Sequence, residues 1–125
     1  MPEIVASAED ATSGSCGDNL TWILEDGLLT ISGTGEMEDY SSMNGMSWYS
    51  SKSSIETVVI EDGVISIGER AFNYCYSLTD VTISESVTSI GKAAFAVCKS
   101  LPSVVIPDSV TSIGDYAFQH CTSLN

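Results

Sequence analysis

Basic residues are scarce in this chain. Lys52, Arg70, Lys92 and Lys99 stand against seventeen Asp and Glu in 125 residues, for a net charge of −13. Such a surface repels phosphate backbones and anionic headgroups, so no nucleic-acid partner is expected. Histidine occurs once, at His120, and a Ser-His-Asp set or a histidine general base would have to use it. Cys16, Cys75, Cys98 and Cys121 form no C-x-x-C pair, which removes the zinc-ribbon and thioredoxin patterns. No apolar run approaches the ~20 residues that span a bilayer, so no membrane insertion is expected. Met1-Pro2-Glu3-Ile4-Val5-Ala6 has neither the basic start nor the apolar stretch of a secretory signal. Met1 therefore reads as a start placed on a mature or internal segment. There is no EF-hand pattern, and Gly33-Thr34-Gly35 lacks the third glycine and the lysine of a phosphate-cradling loop. Acidic groups do cluster at Glu25/Asp26, Glu36/Glu38/Asp39 and Glu61/Asp62, yet a glycosidase needs two carboxylates held across a cleft. The expectation is a protein that is no enzyme and carries no cofactor and no transition metal. The acidity serves solubility, or else attracts cationic partners or calcium.

What is present is a repeat. Phe72, Phe95 and Phe118 share one 23-residue spacing, and so do Cys75, Cys98 and Cys121, Gly68, Gly91 and Gly114, and Ile67, Ile90 and Ile113. The units are 55–77, 78–100 and 101–123, and a fourth starts at Leu124. The second and third agree at 13 of 23 positions. A period of 20–29 residues is that of leucine-rich repeats. Each unit opens on Ile55, Leu78 or Leu101, followed by Val58, Val81 or Val104 and by Ile60, Ile83 or Ile106. Alternating β-branched residues predict a short strand with one inward face. Pro107 follows the third strand, where a ladder donor is no longer needed. A second apolar pair (Val64 and Ile67, Val87 and Ile90, Val110 and Ile113) precedes the glycine, which suits a tight bend. Ala-Phe-x-x-Cys then closes the unit as one short helical turn, with Phe and Cys inward. One unit cannot bury its own apolar face, but stacked copies can. The expected fold is a leucine-rich-repeat solenoid, α/β or mainly β, with a parallel strand ladder, short helical turns and buried thiols at Cys75, Cys98 and Cys121, a disulfide or metal role being the alternative for the cysteines.

These units resemble the BspA-like family of leucine-rich repeats, on Ser109-Val110-Thr111-Ser112-Ile113-Gly114-Asp115-Tyr116-Ala117-Phe118-Gln119-His120-Cys121-Thr122-Ser123-Leu124 above all. The resemblance covers 55–125. The first unit departs at Gly63 and Ile65, where its neighbours carry Ser and Thr at what read as turn and surface positions. The resemblance implies a bacterial protein, secreted or at the cell surface, that acts in adhesion or protein binding, with host or matrix proteins as partners in some members. Asn19-Leu20-Thr21 matches a glycosylation sequon, which carries little weight in a bacterial protein.

Before the repeats, 1–15 is small, polar and acidic and reads as a leader or linker. In 16–54, Leu20-Thr21-Trp22-Ile23-Leu24 and Leu28-Leu29-Thr30-Ile31-Ser32 flank Asp26-Gly27, a strong hairpin signal. Residues 36–54, with Tyr40, Met43, Met46, Trp48 and Tyr49, look irregular. The hairpin is expected to act as an N-terminal cap on the first coil, and its segment from Cys16 to Gly35 also resembles the one that often precedes BspA-like repeats. Trp22, Trp48 and Tyr49 read as core, with an aromatic sugar platform as the alternative. No comparable cover follows 123. The expectation is a piece of a longer repeat protein, or self-association through that end.

The strand ladder leaves one regular face for recognition. Its outward positions are Glu56, Thr57, Val59 and Glu61, then Thr79, Asp80, Thr82 and Ser84, then Pro102, Ser103, Val105 and Pro107. Two other roles stay open: a structural spacer that presents another domain, and a carbohydrate-binding module.

Overall fold

The structure is a computed structural model that describes residues 13–40 and 48–124. Met43 and Met46 lie outside the described residues. Strand β1 is Ser13–Gly17, β2 Leu20–Glu25, β3 Leu28–Gly33 and β4 Gly35–Glu36. A 3-10 helix, Tyr49–Ser54, leads into β5 Thr57–Ile60 and β6 Val64–Ile67. Then come β7 Asp80–Ile83, β8 Ser89–Ile90 and β9 Ser112–Ile113. Two sheets result, ordered β1-β2-β3-β5-β7 and β4-β6-β8-β9.

Alternation sets the inward face of the larger sheet. Val58 and Ile60 of β5 are buried and lie in parallel register beside Val81 and Ile83 of β7, their equivalents in the next repeat. The second sheet follows the same spacing, with Ile67 beside Ile90 and Ile90 beside Ile113. A third line of backbone bonds runs along the turns. The N–H groups of Arg70, Phe72 and Tyr74 donate to the carbonyls of Lys92, Ala94 and Ala96, and those of Ala93, Phe95 and Val97 to Asp115, Ala117 and Gln119. The first repeat is thus tied to the second on three sides, and the second to the third along the smaller sheet and the turns.

Those turn-side bonds overturn one expectation. The Ala-Phe-x-x-Cys segments are runs of tight turns, not helical turns. Every second N–H is committed to the following coil, so no i→i+4 ladder can form. Left-handed residues close the turns instead, at Arg70 and Tyr74, Ala93 and Val97, Tyr116 and His120, with φ of 55° to 64°. Phe72, Phe95, Cys75 and Cys98 still point inward and are fully buried. The rings of Phe72, Phe95 and Phe118 stack at 5.2 and 5.4 Å. The repeating glycines need a different explanation too. Gly68 has no positive φ; a Cβ there would lie 1.8 Å from the Glu38 carbonyl oxygen. Close approach of neighbouring coils requires it, rather than a special turn.

The third unit forms no strand at 101–106. Proline is the cause. Thr79 donates its N–H to Glu56, and Glu61 and Ser84 donate theirs to Ile31 and Ile60. Pro102 and Pro107 occupy the equivalent positions and have no N–H to give. The donor that Pro107 lacks is in use in both preceding coils, contrary to the sequence reading.

The described residues before the repeats hold more structure than their sequence suggests. β1 begins inside the supposed leader, at Ser13, and pairs antiparallel with β2. The hairpin β2–β3 forms as expected, and β3 runs parallel to β5, with Leu29 beside Val58. β4 pairs with β6, and its Glu36 is the first residue of the segment read as irregular. Trp48 stacks on Phe72 at 5.3 Å and donates its indole N–H to the Ala71 carbonyl. Trp22 and Tyr40 meet Trp48 edge-on at 5.8 and 6.0 Å. At 1% exposure, Trp22 and Trp48 are core residues, which removes them from any sugar platform.

Candidate functional site

The outward side of β2, β3, β5 and β7 forms one surface, because the pleat sends every second residue there. All twelve positions expected on it are half-buried or exposed: Glu56, Thr57, Val59 and Glu61, Thr79, Asp80, Thr82 and Ser84, Pro102, Ser103, Val105 and Pro107. Register arranges them in rows. One row runs Glu25, Leu28, Thr57, Asp80, and a second runs Ile23, Thr30, Val59, Thr82. Val105 stands one repeat beyond Thr82 and is 80% exposed, and Ile23 is 49% exposed. The second row is β-branched throughout. Acidic side chains border it, with Glu25 and Asp80 on one side and Glu61, Asp62 and Glu85 near the strand ends. Near those ends lies a depression of about 780 Å³ lined by Val59, Glu61, Asp62, Thr82, Ser84 and Glu85 among others. Ser84 donates its hydroxyl to Asp62 of the preceding coil.

The hairpin's share of this surface lies outside the twelve expected positions, which begin at Glu56. Ile23, Leu28 and Thr30 belong to it, yet nothing in a 23-residue period points to them. Burial alternates cleanly along β2, but Ile23 puts an apolar residue on its outward side, so the sequence alone does not mark the face.

The thiols take no part in this face. All four cysteines are free and buried. Cys98 and Cys121 donate their S–H groups to the carbonyls of Phe72 and Phe95, at 3.1 and 3.0 Å. Burial pushes the Cys75 thiol up to about 12, and burial with the nearby Glu38 carboxylate does the same at Cys16. Cys98 and Cys121 are also raised, by burial above all. Protonated, inaccessible thiols are poor nucleophiles and poor metal ligands. His120 is exposed on the turn side, away from the sheet rows. Among the described residues no three His, Cys, Asp or Glu side chains converge to hold a metal ion. No helix there is long and apolar enough to cross a membrane.

With parallel ladders, a buried ring column and buried cysteines at one period, the family can be decided by comparison. The model of the BspA type leucine rich repeat region (6 copies) matches residues 43–125. The chain belongs to the BspA-type leucine-rich-repeat family. A leucine-rich repeat protein of Eubacterium ventriosum resembles this BspA-type chain at 34% identity and a TM-score of 0.73, over 88% of the chain and 36% of its own length. One from Bacteroides capillosus is 30% identical with a TM-score of 0.52, over 82% of the chain and 88% of its own length. A leucine rich cell surface protein of Faecalibacterium prausnitzii shares the fold at 20% identity and a TM-score of 0.51, over 94% of the chain and 55% of its own length. The BspA-type chain thus spans about a third of the length of the Eubacterium protein. No curated protein matches it.

Proposed function

We propose that this chain is a non-catalytic recognition module of a secreted or cell-surface bacterial protein, and that the outward sheet face docks an extended polypeptide segment of a protein partner. The observation that carries this reading is the β-branched row Ile23, Thr30, Val59 and Thr82, exposed or half-buried between acidic borders, with Val105 one repeat beyond it. An apolar row gives contact area, and acidic flanks select a partner with basic residues. In the same reading, the segment 16–54 covers the first coil as its cap. The family and the cell-surface neighbour support the location.

The test is binding of the 125-residue chain to immobilised extracellular-matrix proteins (fibronectin, laminin and collagen), beside Val59→Lys and Val105→Lys. Binding to at least one is expected, weaker at high salt because the flanking charges are exposed. Either lysine should weaken it by about tenfold or more, as a charge in the centre of a contact does. No binding to any of the three, or binding that both variants retain, overturns the reading and favours a spacer role.

A further inference from the structure

The turn side of the stack, opposite in character to the acidic sheet face, carries a notch. Its origin is a departure from the repeat. The middle coil has Ala93, Ala96 and Val97 where the first has Arg70, Asn73 and Tyr74 and the third has Tyr116, Gln119 and His120. Small side chains between two rows of large ones leave a cavity of about 520 Å³. Ala93 and Ala96 are nearly buried beneath it. Its walls are two coils apart. Ring columns elsewhere in the stack advance 5.2 and 5.4 Å per coil, so the walls stand about 10 Å apart and leave roughly 7 Å between side-chain surfaces. That is the thickness of one saturated six-membered ring with its substituents.

The chemistry of the notch narrows its occupant. Tyr116 is 58% exposed, and Tyr74 is held by Lys52 Nζ at 5.4 Å from its centroid and by Tyr76 edge-on at 5.9 Å. These rings and the alanines offer an apolar bed. Asn73 and Gln119 add amides, each able to donate and accept. Asn73 is 5% exposed, and its Oδ1 has no hydrogen-bond partner among the described residues. A hydroxyl in the notch would supply one once the amide turns outward. The charges balance: Arg70 pairs with Glu69, and Lys92 has Glu69 and Asp115 at the equivalent positions of the adjacent coils. With a net charge of −13 on the chain, an anionic ligand is repelled at long range while a neutral one is not.

We propose that this notch binds a neutral saccharide, one pyranose ring lying across Ala93 and Ala96 between the Tyr74 and Tyr116 sides, with hydroxyls on Asn73, Gln119 and His120. The site is separate from the sheet face and stands or falls apart from it. The experiment titrates the whole chain with trisaccharides of glucose, galactose, mannose and N-acetylglucosamine and follows the signals of Tyr74, Tyr116 and His120 by NMR. Saturable binding of at least one is expected, with Kd about millimolar, as suits a shallow site. Ala96→Gln inserts the residue the next coil already carries, so the fold tolerates it while the notch is filled; it should weaken binding by about tenfold or more. Tyr116→Ala should weaken it as well, and Ile65→Thr, on the other sheet, should leave it unchanged. No saturable binding of any of the four sugars overturns the proposal. So does binding that Ala96→Gln retains, or shifts that fall on the sheet face instead of the notch.

Discussion

A methyl group at position 68 would sit 1.8 Å from the Glu38 carbonyl oxygen. Backbone faces it there, so nothing flexible can move aside, and coil and preceding segment must separate. Gly68→Ala is expected to destabilise the chain by about 1–3 kcal/mol, the usual cost of overpacking, read as a lower urea midpoint at an unchanged m-value. The cysteines give a second handle at this scale. Their thiols are raised by burial, Cys16 and Cys75 from 9.0 to about 12. A raised thiol pKa favours the folded state as long as the thiols stay protonated. The contribution is complete below pH 9, where the unfolded thiols are also neutral, and it is lost as pH rises from 9 through 12. Stability should therefore fall across that alkaline window in the wild type, and less steeply in Cys75→Ala at equal starting stability. At pH 8, Ellman's reagent should leave the native thiols unlabelled and react with all four in urea; fast native labelling would contradict their burial.

The repeating elements were readable because each copy restates the same physical demand. Val58, Ile60 and Phe72 recur once per unit, since every coil must fill the same place in the column. The coil before the repeats was not readable by that rule. Leu29 lies beside Val58 and Ile31 beside Ile60 at an offset of 29, while Trp48 stacks on Phe72 at an offset of 24. Its strands and its ring match those of the repeats, but more residues separate them and Trp stands in place of Phe, so no fixed period finds it. The helical-turn expectation failed for a related reason: the bonds that shape those turns run to another coil, not along the segment. The Ser that recurs after the strands reads as a turn position, and it does more than turn the chain: Ser86 and Ser109 donate to the carbonyls of Val64 and Val87 at 2.7 Å, one coil back. The twelve face positions followed from strand alternation alone. The hairpin's extension of that face and the turn-side notch needed the register between elements. Proline gives this scale its prediction. Pro102→Thr restores an N–H opposite the Thr79 carbonyl, as Thr79 supplies to Glu56, and should add about 0.5–1.5 kcal/mol. Hydrogen exchange should slow at 103–106; unchanged exchange there would show that more than the missing donor keeps the third strand unpaired.

At the scale of the whole molecule, stability resides between coils. Trp48, Phe72, Phe95 and Phe118 form one ring column through the stack, and Trp22 and Tyr40 flank its first member. Nearest-neighbour coupling of this kind makes an end residue matter to the coils beyond it. Trp48→Ala should cost about 3–5 kcal/mol and lower the thermal midpoint of the entire chain in one transition. A separate early transition confined to residues before 55 would show that the hairpin segment is not coupled to the repeats. The proposed docking face depends on the same coupling, because the row Ile23, Thr30, Val59, Thr82 exists only while successive strands hold register.

The most direct test of that stacking is a nuclear Overhauser spectrum with labelled phenylalanine rings. Cross-peaks are predicted between Phe72 and Phe95 and between Phe95 and Phe118, with none between Phe72 and Phe118. If Phe95 shows contact with neither of the other rings, the coils do not share an interior, and the continuous face built on them does not exist.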